Sequence, residues 1–414
     1  MSEHMPITIG NNVIEKFVEF CQKNQYEKFL IVADENTARA LGDRVYQAVK
    51  QQGWDAVYQV LDPEGLHTDG TTLTRVLSAY DAVPRLFVAV GSGTITDTVR
   101  FTSHRSQNQF VSFPTAASVD AYTSENASVT VGHLKGSIYC HAPIAIFADL
   151  PTICASPKFL TASGFGDLIS KLTSSSDWKI SHLIWGTDFD EEIYAKALRA
   201  GQRVAEVVDG IRTADPESMA AMMEGQFASG FCMADFGNSA PASGGEHHIA
   251  HIWEMMFHWG EKEGLYHGQA VGVAAIMCAE WYQRLKALSC KDAEDLLKKT
   301  KIPSRSVQIA AVEKNLPQIA EELIGSDPIY MQLSDTAKFK RIRERILDRW
   351  DEIRATAANV PEPSAIRAWI KSLGGPVTPQ ELSVTKEQVE IAVDYGLYLR
   401  ERFSINIIRK LFGW

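Results

Sequence analysis

Cysteine is scarce in this chain and never closely paired. The six cysteines, at 21, 140, 154, 232, 278 and 290, include no CxxC spacing. That excludes a disulfide framework and reads as reduced, cytosolic thiols. Basic runs are also missing: 41 Lys and Arg stand against 51 Asp and Glu, a net charge of −10. With no footprint for a phosphate backbone, nucleic acid is not an expected partner. The longest apolar run, AVGVAAIMCA at 270–279, is far short of a membrane span. The opening MSEHMPITIGNNVIEKF has no charged segment followed by an apolar one, so no signal peptide is expected. No internal repeat or low-complexity tract is present. Together these absences predict a soluble, cytoplasmic protein.

What is there suits a globular chain, with 45% hydrophobic and 22% charged residues. At 414 residues it is too long for one compact core and predicts two domains. The first third alternates apolar runs with amphipathic helical patterns. KFLIVAD (28–34), AVYQVLD (56–62), LFVAVGSG (86–93), FVSFPT (110–115) and IAIFADL (144–150) read as strands. Their alternation with helices implies a mainly parallel sheet covered on both faces. After about Pro151 the strand signal gives way to helical periodicity at 157–182, 188–209, 216–232, 245–259 and 268–287, with prolines punctuating the rest. The expectation is an α/β domain over 1–150 and an all-α domain over 151–414, with a cleft between them.

Three places carry candidate chemistry. VAVGSGTITDTVRF (88–101) runs strand, Gly-x-Gly, helix, an order that can seat a pyrophosphate on free helix N–H groups. A plain strand-to-helix turn looks the same, and a full GxGxxG is absent. Asp34 ends the first strand listed above, where an acidic residue can take a ribose hydroxyl, or can belong to a capping turn with Asn36 as the cap. The third place is PASGGEHHIAHIWE (241–254), with three of the chain's 11 histidines within five residues. His247, His251, Glu254 and His258 fall on one helical stripe, and His248 lies about 100° away. This is not HExxH, because Glu246 precedes the first histidine. Two imidazoles one turn apart can share a metal, or one can bind metal while the other handles a proton. Partners must come from elsewhere in the chain. His267 in GLYHGQAVGV and Asp167 in SGFGDLISK are candidates, although an Asp after Gly also serves as a helix N-cap.

GSGTITD (91–97), FPTAASVDAYTS (113–124), SGFGDLISK (163–171), PASGGEHHIAH (241–251) and HGQAVGV (267–273) follow one another in an order that resembles a known family. This is the family of iron-containing alcohol dehydrogenases, glycerol dehydrogenases and dehydroquinate synthases, and within it the sn-glycerol-1-phosphate dehydrogenases of the bacterial arabinose-operon type. The resemblance spans nearly the whole chain and implies the dehydroquinate synthase-like fold. It implies Asp167, His247 and His267 as ligands of one divalent metal (zinc, nickel or iron). NAD(H) or NADP(H) would lie along Gly91, Ser92, Gly93, Thr94 and Ile95 and along Thr115, Ala116, Ala117 and Ser118, with Ser124 in contact. Asp120 and His251 match positions that touch substrate, and His248 is left to pack or cap.

The implied reaction is hydride transfer at C2, interconverting dihydroxyacetone phosphate and sn-glycerol 1-phosphate. His251 would sit in the proton relay and Asp120 would hold a substrate hydroxyl. Lys171, one turn past Asp167, can supply charge to the substrate phosphate or be structurally paired. Where many archaeal members carry GGGK, this chain has Gly91-Ser92-Gly93-Thr94, which bears on cofactor preference. SGGEH stands in place of the usual SGSEH. Alternatives on the same scaffold are a glycerol or polyol dehydrogenase and a dehydroquinate-synthase-like lyase, the latter using Glu where this chain has Asp167. Relatives commonly form homodimers, so a homo-oligomer is expected.

Overall fold

The computed structural model describes residues 5–131, 134–260 and 264–414. Its strands are β1 (Ile7–Gly10), β2 (Lys28–Asp34), β3 (Asp55–Leu61), β4 (Leu86–Gly91), β5 (Phe110–Pro114), β6 (Asn126–Val131), β7 (Leu134–Tyr139) and β8 (Ile146–Asp149). Six of them form one parallel sheet in the order β1-β8-β5-β4-β2-β3. β6 and β7 make a separate antiparallel hairpin.

Alternation of side chains along each strand builds two cores, one per sheet face. Phe29, Ile31 and Ala33 of β2 join Val88 and Val90 of β4 beneath the helices Val13–Asn24 and Asp43–Gln51. Leu30 and Val32 join Phe87 and Ala89 on the other face, against Val76 and Val99 of the helices Gly70–Ala79 and Gly93–Arg105. Strands buried on both faces read as continuous apolar runs, which is the signal KFLIVAD carries.

The chain divides into two compact units. One runs to Phe165 and takes up Glu206–Asp235, and the other comprises Gly166–Ala205 and Phe236–Trp414. The partition at 150 marks where the strands stop rather than where the contacts divide. Two close approaches explain the difference. A Cβ on Gly164 would lie 1.9 Å from the Ala117 carbonyl oxygen, and one on Gly230 would lie 2.1 Å from Thr123 Oγ1. Thr123 Oγ1 also donates to the Phe227 carbonyl at 2.9 Å. Backbone this close to the 116–124 segment packs as part of the sheet-bearing unit. The second unit is helical throughout its described residues, and no described helix is long and apolar enough to cross a membrane.

A buried arginine fixes the segment after β5. Arg100 is 0% exposed and donates to the carbonyls of Ala121 (2.8 Å), Tyr122 (3.0 Å) and Asn126 (3.0 Å), as well as to Asp97. Replacing it by methionine keeps bulk but strands three carbonyls and a carboxylate. Arg100→Met should therefore lower unfolding free energy by about 3–5 kcal/mol in a denaturant titration.

Candidate active site and metal centre

The sheet order reverses between β2 and β4: the chain steps outward from β2 to β3, then returns to β4 on the other side of β2. Ligands of open parallel sheets bind outside the carboxyl ends of strands at such a point. Val32 is level with Ala89, so two residues further on Asp34 and Gly91 end their strands side by side. The helix Gly93–Arg105 starts there, with Ser92 as an N-cap that makes no side-chain bond to the first turn. Its leading N–H groups are left for an anion. Thr115 N donates to Gly91 O at 3.3 Å, which brings the 115–118 turn alongside. The Gly91–Ile95 and Thr115–Ser118 stretches are thus neighbours.

The rest of this segment is well anchored. Ser118 Oγ lies 3.4 Å from Tyr122 Oη, and Tyr122 donates to Ala116 O at 2.6 Å. Ser124 Oγ accepts from Asn126 N at 3.0 Å. Asp120, 6% exposed, accepts from Ser229 Oγ at 2.7 Å. Asp34 is itself the helix cap, in place of Asn36: its Oδ1 accepts from Asn36 N (2.8 Å) and Thr37 N (3.0 Å).

The metal-type residues converge within the second unit. Asp167, His247 and His267 each offer a ligand atom, all within 4.8 Å of one another. His251, Glu254 and His267 form a second group by the same measure. Glycine makes the first convergence possible. A Cβ on Gly166 would lie 2.2 Å from Gly268 O and 3.3 Å from Gly272 Cα. The residue before Asp167 therefore touches the backbone just after His267, a distance no side chain permits.

Each imidazole is aimed by a carboxylate on its far nitrogen. His247 Nδ1 donates to Glu246 Oε1 at 2.8 Å, and His267 Nδ1 donates to Glu254 Oε1 at 2.6 Å. His247 then directs Nε2 at Asp167 Oδ1, 3.5 Å away. Carboxylate–imidazole pairs of this kind fix tautomer and ring orientation in metal sites. Glu246 is held in turn by Gly244 N (2.8 Å) and Thr173 Oγ1 (2.9 Å). Beside it, Asp177 accepts from Gly245 N, Tyr282 Oη and Ile405 N at 2.6–2.7 Å. Burial, together with the Glu246 charge, pushes the Asp177 carboxyl up to about 7. Asp167 goes the other way: burial opposes ionisation, but the Lys171 charge and the His247 contact hold it well below the usual range.

The remaining expected residues fall as follows. His251 is half-buried, its ring stacked on His267 with centroids 5.4 Å apart. Burial depresses its pKa far below the ordinary value, so the ring is neutral. His248 is fully buried and packs as expected, with Gly396 against its backbone. Lys171 is not at a surface. It is 0% exposed and donates to Ala242 O at 2.8 Å, with Ser170 Oγ at 3.4 Å and Asp167 Oδ1 at 3.5 Å. So enclosed, the ammonium is paired with Asp167, one of the two roles expected of it. The partners Glu246 and Glu254 were visible in the sequence as neighbours of the histidines, yet nothing there assigned them to Nδ1 atoms.

Known proteins resemble this chain over nearly its whole length. Residues 8–157 match the family model of iron-containing alcohol dehydrogenases. A glycerol-1-phosphate dehydrogenase [NAD(P)+] of Bacillus licheniformis is 30% identical over 97% of this chain and 88% of its own length. The chain belongs to the iron-containing alcohol dehydrogenases. Within that family it is also similar to a Pyrococcus furiosus protein of the same name as the Bacillus one, at 31% identity over 73% of this chain and 84% of the other. Maleylacetate reductase of Rhizobium sp. shares the fold, with a TM-score of 0.61 at 14% identity, covering 100% of this chain and 96% of that one.

In this iron-containing alcohol dehydrogenase the glycine contact is open to a direct check. Gly166→Ala places a methyl group on a carbonyl oxygen that cannot rotate away. Chemical denaturation should show a loss of about 1–3 kcal/mol, the usual cost of overpacking.

Proposed function

We propose that this protein is a metal-dependent NAD(P)H oxidoreductase interconverting dihydroxyacetone phosphate and sn-glycerol 1-phosphate. The observation that carries the reading is the convergence of Asp167, His247 and His267, each imidazole backed by a carboxylate, in a chain whose relatives are named glycerol-1-phosphate dehydrogenase [NAD(P)+]. One carboxylate and two imidazoles suit zinc, nickel or iron and leave positions open for substrate. All six cysteines are free thiols, which supports a cytoplasmic setting. A homo-oligomer, foremost a dimer, is part of the same reading.

When bound, the metal ion supplies Lewis acidity at the C2 carbonyl and the nicotinamide supplies the hydride. The chain's own residues do the rest. Lys171 keeps Asp167 ionised, and Glu246 and Glu254 keep His247 and His267 as donors through Nε2. The neutral His251 ring has one N–H and one lone pair, so it can give its N–H proton to the developing C2 oxygen while its other nitrogen takes one from water, and the ring stays neutral. Asp120, its carboxylate steadied by Ser229, takes a substrate hydroxyl. The N-terminus of Gly93–Arg105 and the 115–118 turn receive the dinucleotide's phosphates, with Ser124 nearby and Asp34 at the ribose.

Two measurements test this. NADH oxidation by metal-stripped protein, reconstituted with zinc, nickel or iron, should be metal-dependent and should strongly favour dihydroxyacetone phosphate over dihydroxyacetone. Turnover favouring the unphosphorylated ketone would instead make this a polyol dehydrogenase, and turnover without net NADH consumption a lyase. Separately, Glu254→Ala should weaken metal binding by about 10- to 100-fold in competition with a chelator. Unchanged affinity would remove Glu254 from the site.

A further inference from the structure

The proposed reaction needs a cation for the substrate phosphate, and Lys171 is enclosed. Another cation stands in the loop that packs on the start of the histidine helix. Residues 399–404 link the turn Gly396–Tyr398 to the helix Ile405–Phe412, and this short loop is pinned at both ends to the start of the histidine helix, Gly245–Trp259. Upstream, a Cβ on Gly396 would meet His248 backbone at 3.4 Å. Downstream, Phe403 N donates to Ser181 Oγ at 3.1 Å, Ile405 N to Asp177, and Asn406 Nδ2 to Gly245 O at 3.3 Å. Arg402 N closes a tight turn onto Arg400 O at 2.9 Å.

The loop carries two arginines with different fates. Arg402 spends its guanidinium on Ser243 O and on Ser239 Oγ, the latter at 2.9 Å, and so holds the loop before the histidine helix. The Arg400 guanidinium has no hydrogen bond or ion pair among the described residues, although Glu401 is its neighbour in sequence. It is exposed, yet surrounded closely enough that desolvation lowers its own pKa. A guanidinium with its donors open, partly desolvated and carried by a loop held on the start of the histidine helix is a place for an anion, and its planar fork matches phosphate oxygens two at a time.

We propose that Arg400 anchors the phosphate monoester of the substrate and so sets the preference for a phosphorylated ketone. This rests on the reaction proposed above. The test compares wild type, Arg400→Ala and Arg400→Lys with dihydroxyacetone phosphate and with dihydroxyacetone, using thermal unfolding to confirm that each variant is folded. Arg400→Ala should reduce the ratio of kcat/KM for the phosphate over the free ketone by about 10- to 100-fold, the range of one lost charge-assisted contact. Arg400→Lys should recover part of that ratio, because the charge remains without the fork. Binding of sn-glycerol 1-phosphate to metal-stripped protein should weaken in parallel.

A wild type that prefers the phosphate beside an Arg400→Ala variant with the same preference would overturn the assignment and leave the proposed reaction standing. A wild type with no preference would overturn both. A loss confined to the KM for NADPH would give the phosphate to the cofactor and also overturn the assignment to substrate.

Discussion

The helix bearing Asp167 and the helix bearing His267 meet through glycine, backbone against backbone, at Gly166, Gly268 and Gly272. The geometry of the metal-type cluster depends on that contact. Helices packed through ordinary side chains stand about 8–10 Å apart, axis to axis. Removing the Cβ atoms lets a short aspartate and a histidine reach a common point. Everything else around the cluster then orients groups already brought near one another.

That orientation carries an electrostatic cost. Asp167, Asp177, Glu246 and Glu254 are all buried in the helical unit, with Lys171 enclosed among them. Buried charges destabilise unless hydrogen bonds or counter-charges offset them. Here backbone N–H groups of Gly244, Gly245 and Ile405, the hydroxyls of Thr173 and Tyr282, and two imidazoles take up that task. A divalent cation bound there would add the largest counter-charge and would link occupancy of the site to the stability of the unit that holds it.

Much of this was legible in the residues, and the exceptions have physical reasons. The five apolar runs became β2, β3, β4, β5 and β8, because strands buried on both faces advertise themselves. β1 did not, since ITIG is four half-buried residues long. The hairpin β6–β7 went unseen because NASVTV mixes small polar residues into a weak alternation. The stretch 157–182 read as one helix, whereas the structure has Lys158–Ile169 and Lys171–Trp185 with Ser170 between them. The histidine stripe was readable from helical period alone. Its completion by Asp167 and His267 rested on family resemblance, since contacts between helices leave no periodic trace. Lys171 was placed on the same helix face as Asp167 with two roles left open, phosphate contact or structural pairing, because spacing says nothing about depth. Arg400 left no signal at all, being a single arginine in an irregular loop.

Asp177, in the bed beneath the metal-type cluster, is bonded to Ile405 N across 228 positions of sequence. Thr173 reaches Glu246 across 73, and Lys171 reaches Ala242 across 71. Contacts this distant are made only after much chain entropy has been surrendered, and they slow the search for the native state. During synthesis the cluster residues Asp167, His247 and His267 therefore leave the ribosome well before the segment that completes their support. The pocket matures late, and the order of events in folding separates the appearance of its ligands from their final alignment.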